Sequence, residues 1–189
     1  MKLLDPLTGP RTALLAMDLQ RDFLEPGGRL PIEAVQIGAV VAGMNRALIR
    51  AARGGVAVVY VLNAYDLLDP SNLTRNFAAL RGSPGAALDP RVTVVQGAPI
   101  VRKKVPDAFS NPALADWLAR ERITRLAVGG VYADACVTAT CRSALKRGYA
   151  VEVLADAVGA RSEAARRHAV ADLVRRGARA ASADGRGWT

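Results

Sequence analysis

Apolar and polar positions along this chain follow two rhythms that take turns. Arg11-Thr-Ala-Leu-Leu-Ala-Met17 is a continuous apolar run closed by Asp18, the pattern of a strand buried on both faces. Residues 32–53 change to a helical period, with Val41, Met44, Leu48 and Ala51 on one face and Gly54-Gly55 as the stop. Val56 to Leu62, β-branched and apolar, predicts a second central strand, and Pro99 to Arg102 a short third. Ser110-Asn111-Pro112 opens a helix whose apolar face is Leu114, Trp117 and Leu118. Thr124 to Val128 predicts a fourth strand, Asp134 to Arg147 a helix, and Tyr149 to Leu154 a fifth strand that ends at Asp156. Ser162 caps a helix to about Arg176 with Val170, Leu173 and Val174 facing inward, and Arg179 to Ala183 predicts a sixth strand. Strand and helix alternate throughout, which argues for an α/β fold with a parallel sheet covered on both faces. Between Asn63 and Gly97 the pattern weakens to recurring Pro, Gly, Asn and Asp, with a helical piece only around residues 73–80. A segment this long without periodicity carries function or covers a site.

Composition narrows the class. A chain of 189 residues, with 51% of them apolar, suits a single domain over residues 1–189 with a sizeable core; no internal repeat or second-domain boundary interrupts it. Net charge is +9, yet the densest basic group (Arg161, Arg166, Arg167, Arg175, Arg176, Arg179) sits on the last helix without aromatic interleaving. That footprint reads as a solvated face, so neither nucleic acid nor a membrane is expected as partner. No apolar run is long enough to span a bilayer, and Met1 to Pro10 holds no signal core, which leads to the expectation of a cytoplasmic protein. The two cysteines, Cys136 and Cys141, lie five apart on one predicted helix and point in different directions, so no mutual disulfide is expected. Cys141 is read as packing.

The chemistry collects at strand ends. In Leu126-Ala-Val-Gly-Gly-Val-Tyr-Ala-Asp-Ala-Cys136-Val137 a buried strand turns through two glycines into a helix, which places Cys136 in a first helical turn. Free backbone N–H groups and the positive end of the helix dipole favour a thiolate there. Asp18 follows strand one and Lys103 follows strand three, at the same carboxyl edge where open α/β sheets form their sites. A thiol needs a base to become a nucleophile, a carboxylate in a partly dry pocket serves as one, and a lysine near both steadies the negative charge. Taken singly each has a plainer alternative: a buried small hydrophobe for Cys136, a cap for Asp18, a solvated lysine beside Lys104 for Lys103. The one histidine, His168, falls mid-way along the terminal helix, away from the strand ends, so a Cys–His pair is not expected.

Three motifs carry a resemblance: Asp18-x-Gln20-x-Asp22-Phe23, Lys103-x-x-x-Asp107-Ala108-Phe109, and Gly130-Val131-x-x-x-x-Cys136-Val137. In order and spacing they resemble the isochorismatase-like cysteine hydrolase superfamily, with its nicotinamidases and N-carbamoylsarcosine amidohydrolases, over about residues 11–183. The resemblance implies a three-layer α/β/α sandwich on a six-stranded parallel, doubly wound sheet. It also implies an Asp–Lys–Cys triad: Asp18 as base, Lys103 as electrostatic partner and Cys136 as nucleophile. With these come a non-proline cis peptide at Val131–Tyr132, an oxyanion hole from the Tyr132 and Cys136 N–H groups, and a homo-oligomer (dimer or tetramer). Two departures follow. Where nicotinamidases of the superfamily carry an Asp-x-His…His metal site, this chain has Asn63-Ala64-Tyr65-Asp66, so no metal and no other cofactor is expected. Isochorismatases proper lack the cysteine, which disfavours vinyl-ether hydrolysis, and Ala133 stands where a threonine is common. The expected activity is hydrolysis of a carbon–nitrogen bond in a small amide through a thioester, with Phe23, Tyr65, Phe109 and Tyr132 as pocket walls. A lactam or hydrazide hydrolase on the same triad, or a non-catalytic interaction protein, are the alternatives.

Overall fold

The structure is a computed structural model that describes residues 11–185 together with 187 and 188; the expectation about Met1 to Pro10 lies outside them. Six strands form one sheet: β1 (Arg11–Met17), β2 (Ala57–Asn63), β3 (Ile100–Lys103), β4 (Ile123–Val131), β5 (Ala150–Gly159) and β6 (Arg179–Ala181). Their order is β3-β2-β1-β4-β5-β6, and each neighbouring pair is parallel. Sequential strands therefore step outward from β1 in one direction and then, from β4, in the other. The reversal between β1 and β4 opens a crevice at their carboxyl ends.

Side chains alternate across the sheet as the strand period requires. Along β1, Leu14 and Ala16 join the core beneath α2 (Ala34–Arg53), with Met44 and Leu48. Ala13, Leu15 and Met17 face the opposite core, where α3 (Pro112–Arg120), α4 (Thr138–Lys146) and α5 (Glu163–Arg175) supply Leu114, Leu118, Cys141 and Leu173. The result is a three-layer α/β/α sandwich. A one-turn helix, α1 (Arg21–Leu24), follows β1 directly.

Several boundaries differ from the sequence reading. On α5 the buried positions are Ala169 and Leu173, while Val174 is 45% exposed, because the helix turns its 169–173 stripe inward. β3 runs one residue further than its apolar run, so Lys103 ends the strand rather than following it, paired in register with Asn63. The helix expected from Asp134 begins instead as a π-helical turn, Ala133–Val137, in which Ala135 and Val137 both donate their N–H to the Tyr132 carbonyl at 3.1 and 3.0 Å. The helical piece expected at 73–80 is a 3-10 turn at Pro70–Leu73 followed by a chain of turns, with Asn76, Phe77 and Ala79 all at positive φ. A second 3-10 turn covers Pro84–Ala86.

Candidate active site

Asp18 is placed by β1. Its N–H donates to the Val61 carbonyl at 2.7 Å, and its φ of 52° turns the chain sharply away from the sheet. That left-handed conformation is uncommon for a residue other than glycine and recurs at sites held by their surroundings. Gly130, alongside in β4, makes the turn possible: a Cβ there would stand 2.0 Å from the Met17 carbonyl oxygen. The peptide Val131–Tyr132 is cis, and Cys136 lies in the π-helical turn just beyond.

The three strand-end residues meet. Lys103 Nζ lies 2.9 Å from Asp18 Oδ2 and donates a hydrogen bond to Cys136 Sγ at 3.3 Å. The contact with Asp18 is an ion pair without the angle of a directed hydrogen bond, and no other donor hydrogen-bonds either carboxylate oxygen among the described residues. Asp18, Lys103 and Cys136 are 0, 3 and 6% exposed, so the ion pair is dry. Burial raises the Asp18 carboxyl above its ordinary range, with Lys103 pulling the other way. Lys103 is raised as well: burial opposes its charge, and Asp18 and the Cys136 sulfur outweigh it. Burial, then the Asp18 charge, push the Cys136 thiol up to about 12, against the pull of Lys103. The leaning toward a thiolate that the helix end lends Cys136 is therefore not what this environment favours: enclosure outweighs the helix end.

Asn63, the last residue of β2, completes the contact shell. Its Oδ1 accepts from Lys103 Nζ at 2.7 Å and from the Tyr65 hydroxyl at 3.0 Å. Its backbone is gripped from both sides by the buried Gln20 amide, whose Nε2 donates to Asn63 O and whose Oε1 accepts from Asn63 N, each at 2.8 Å. Gln20 also donates to the Ala86 carbonyl at 2.8 Å, and Asp22 accepts the N–H groups of Arg29 and Ala79 at 3.2 and 2.7 Å. The motif residues between the triad members thus tie the irregular 63–97 segment over the sheet edge. Asn63 escaped the sequence reading as anything but a missing metal ligand; its register opposite Lys103 is a pairing between strands that neither stretch displays by itself.

The aromatic residues divide. Phe23 meets Tyr132 edge to face at 5.7 Å, and the Tyr132 hydroxyl donates to the Leu30 carbonyl. Tyr65 carries the Arg75 guanidinium 3.6 Å above its ring. Phe109 is elsewhere: it packs against Tyr149 and under Arg147, at the far end of α4 from Cys136. His168 is exposed on α5.

The residues after β2 do not suit a divalent metal. The Asn63 side-chain oxygen is taken by an ammonium and a hydroxyl, and Asp66 is paired at the surface with Lys104 and Arg81. Among the described residues no three His, Cys, Asp or Glu side chains are grouped to hold a metal ion. Nor, among them, is any helix long and apolar enough to cross a membrane.

Comparison with known proteins agrees with this fold. Residues 12–185 match the family model of the isochorismatase domain. A streptothricin hydrolase of Streptomyces noursei is 31% identical over 157 residues, covering 78% of this chain and 54% of its own length. N-carbamoylsarcosine amidase of an Arthrobacter species is 26% identical over 163 residues, covering 81% of this chain and 61% of its own. The chain thus spans little more than half the length of these two relatives. The crystal structure of pyrazinamidase of Pyrococcus horikoshii in complex with zinc superposes with a TM-score of 0.83 at 26% identity, over 92% of this chain and 99% of that one.

Proposed function

We propose that this chain, which belongs to the isochorismatase family, is a cysteine hydrolase that cleaves a carbon–nitrogen bond of a small amide through an Asp18–Lys103–Cys136 triad. The observation that carries the reading is the buried contact of Lys103 Nζ with both the Asp18 carboxylate and the Cys136 sulfur. The amidase and hydrolase names of the two curated relatives support hydrolysis of an amide-type bond.

In the proposed sequence Asp18 takes the thiol proton as Sγ attacks the substrate carbonyl carbon. A carboxylate whose affinity for protons burial has raised is matched to a thiol better than an ordinary aspartate is. The carbonyl π electrons move onto oxygen, where the backbone N–H groups of Tyr132 and Cys136 accommodate the charge, with the Lys103 ammonium close by. Collapse breaks the carbon–nitrogen bond, and the amine leaves with the proton held by Asp18, giving a Cys136 thioester. Water then attacks the thioester, Asp18 accepts its proton, the acid departs, and the proton returns to Sγ. Phe23, Tyr132 and Tyr65 are the pocket walls in this reading. No metal-dependent step is needed.

The test is ammonia or amine release from a panel of small amides, ureido acids and lactams, with mass spectrometry under turnover to trap acylated Cys136. Turnover by the wild type, lost in Cys136→Ala and accompanied by a mass increment on Cys136, is the expected result. Turnover retained by Cys136→Ala would remove the nucleophile and with it the mechanism.

A further inference from the structure

Lys103 has three N–H donors, and a buried ammonium must place all of them. Its Nζ has three contacts: the ion pair with Asp18 Oδ2 at 2.9 Å, the hydrogen bond to Cys136 Sγ at 3.3 Å, and the hydrogen bond to Asn63 Oδ1 at 2.7 Å. The shortest, and the only directed one to an oxygen, is to Asn63. The other two partners both change protonation state in the proposed reaction. Asn63 does not, so it is the fixed point of the three. Asn63 is itself over-determined: Gln20 grips its backbone and the Tyr65 hydroxyl fills the second lone pair of its Oδ1. Tyr65 is held in turn by Arg75 above its ring and by the bridge of its backbone to Leu80.

We propose that Asn63, oriented by the Tyr65 hydroxyl, is a positioning residue that keeps the Lys103 ammonium seated between Asp18 and Cys136. This rests on the Asp–Lys–Cys reading. The end of the second strand thus serves as a neutral anchor for an internal cation. Without the anchor one Lys103 donor is left buried and unfilled, the ammonium drifts toward Asp18, and the sulfur loses a positive charge that favours its ionisation.

The experiment reads the sulfur without needing a substrate: the rate of Cys136 alkylation by iodoacetamide against pH, followed by mass spectrometry. Cys136 faces Asp18 just after β1, Lys103 from the end of β3, and Tyr65 and Tyr132 from the neighbouring loops. Asn63→Leu should displace the profile about one unit upward, the size of one lost hydrogen bond to a charged group, and slow alkylation about threefold at fixed pH, because the more basic thiolate is the better nucleophile and takes back about half of the logarithm. Tyr65→Phe keeps the ring and should slow it about twofold; it carries the test alone if Asn63→Leu fails to fold. Profiles that superimpose on the wild type in folded variants, while Lys103→Met displaces its own, would overturn the positioning role. A wild-type profile that Lys103→Met leaves unmoved would instead remove the triad reading beneath it.

Discussion

Replacing Asp18 by asparagine should move two rates in opposite directions that a simple collapse of the site would lower together. Asp18 Oδ2 and Cys136 Sγ touch the same Nζ, which puts them within about 6 Å of each other. At an effective dielectric constant of about 20, a unit charge at that separation raises the cost of ionising the thiol by about 3 kcal/mol, or about two pKa units. The asparagine variant loses that penalty and leaves the ammonium to Asn63 and the sulfur. Well below the thiol pKa, which burial and Asp18 push up to about 12, the thiolate fraction then rises about 100-fold. A less basic thiolate is also a weaker nucleophile, which takes back about half of the logarithm, so alkylation by iodoacetamide at pH 8 should be about tenfold faster. Amide turnover should fall about 10²- to 10⁴-fold in the same protein, because the proposed mechanism loses its base. Breaking a buried pair costs about 3–5 kcal/mol, so both rates are compared below the variant's own melting temperature. Alkylation that slows, or does not change, would mean that Asp18 does not bear on the sulfur as the geometry requires.

Three further outcomes follow from the same packing. Lys103→Met alone strands a dry carboxylate and should destabilise by about 3–5 kcal/mol in urea, whereas Asp18→Asn with Lys103→Met should recover most of that loss while remaining inactive; a double variant less stable than either single one would contradict this. Gly130→Ala combines a φ of 115° with a Cβ 2.0 Å from the Met17 carbonyl oxygen, so it should cost at least about 3 kcal/mol or prevent folding; a midpoint within about 1 kcal/mol of wild type would refute the close approach. Cys141 is wholly buried, and burial pushes its thiol from 9.0 up to about 12. The folded state keeps a proton that the unfolded chain gives up, so stability falls as pH climbs from 9 toward 12, by about 1.4 kcal/mol per unit for this group. Cys136 adds to the same slope. Cys141→Ala should therefore flatten the alkaline decline by that amount, and an unchanged slope would place the thiol in a wetter setting.

What could be read in advance divides by range. β1, β2 and α2 announce themselves because a buried strand is a local apolar run and a covering helix a local period. The 63–97 segment does not, because its shape is imposed from a distance. The Asp22 carboxylate takes the Ala79 N–H and the Gln20 amide holds Ala86, and so three residues without glycine's freedom, Asn76, Phe77 and Ala79, sit at positive φ. The same division runs through the site. Order and spacing pointed to Asp18, Lys103 and Cys136, which the structure brings into contact, but the ionisation of the sulfur is a sum over everything packed around it. A helix end is worth about 0.3–1 kcal/mol at a surface, whereas burying a charge shifts a pKa by up to about 3–5 units, so enclosure decides the sign. On the proposed mechanism that sign has a consequence. A site that held a standing thiolate would need no carboxylate to take a proton. One that keeps the Cys136 thiol protonated needs Asp18 within reach, and needs Lys103 held where it can receive the charge as the proton crosses. Asn63 supplies that hold only because β2 and β3 pair in the register that sets it opposite Lys103, a relation between strands that no period within either one encodes.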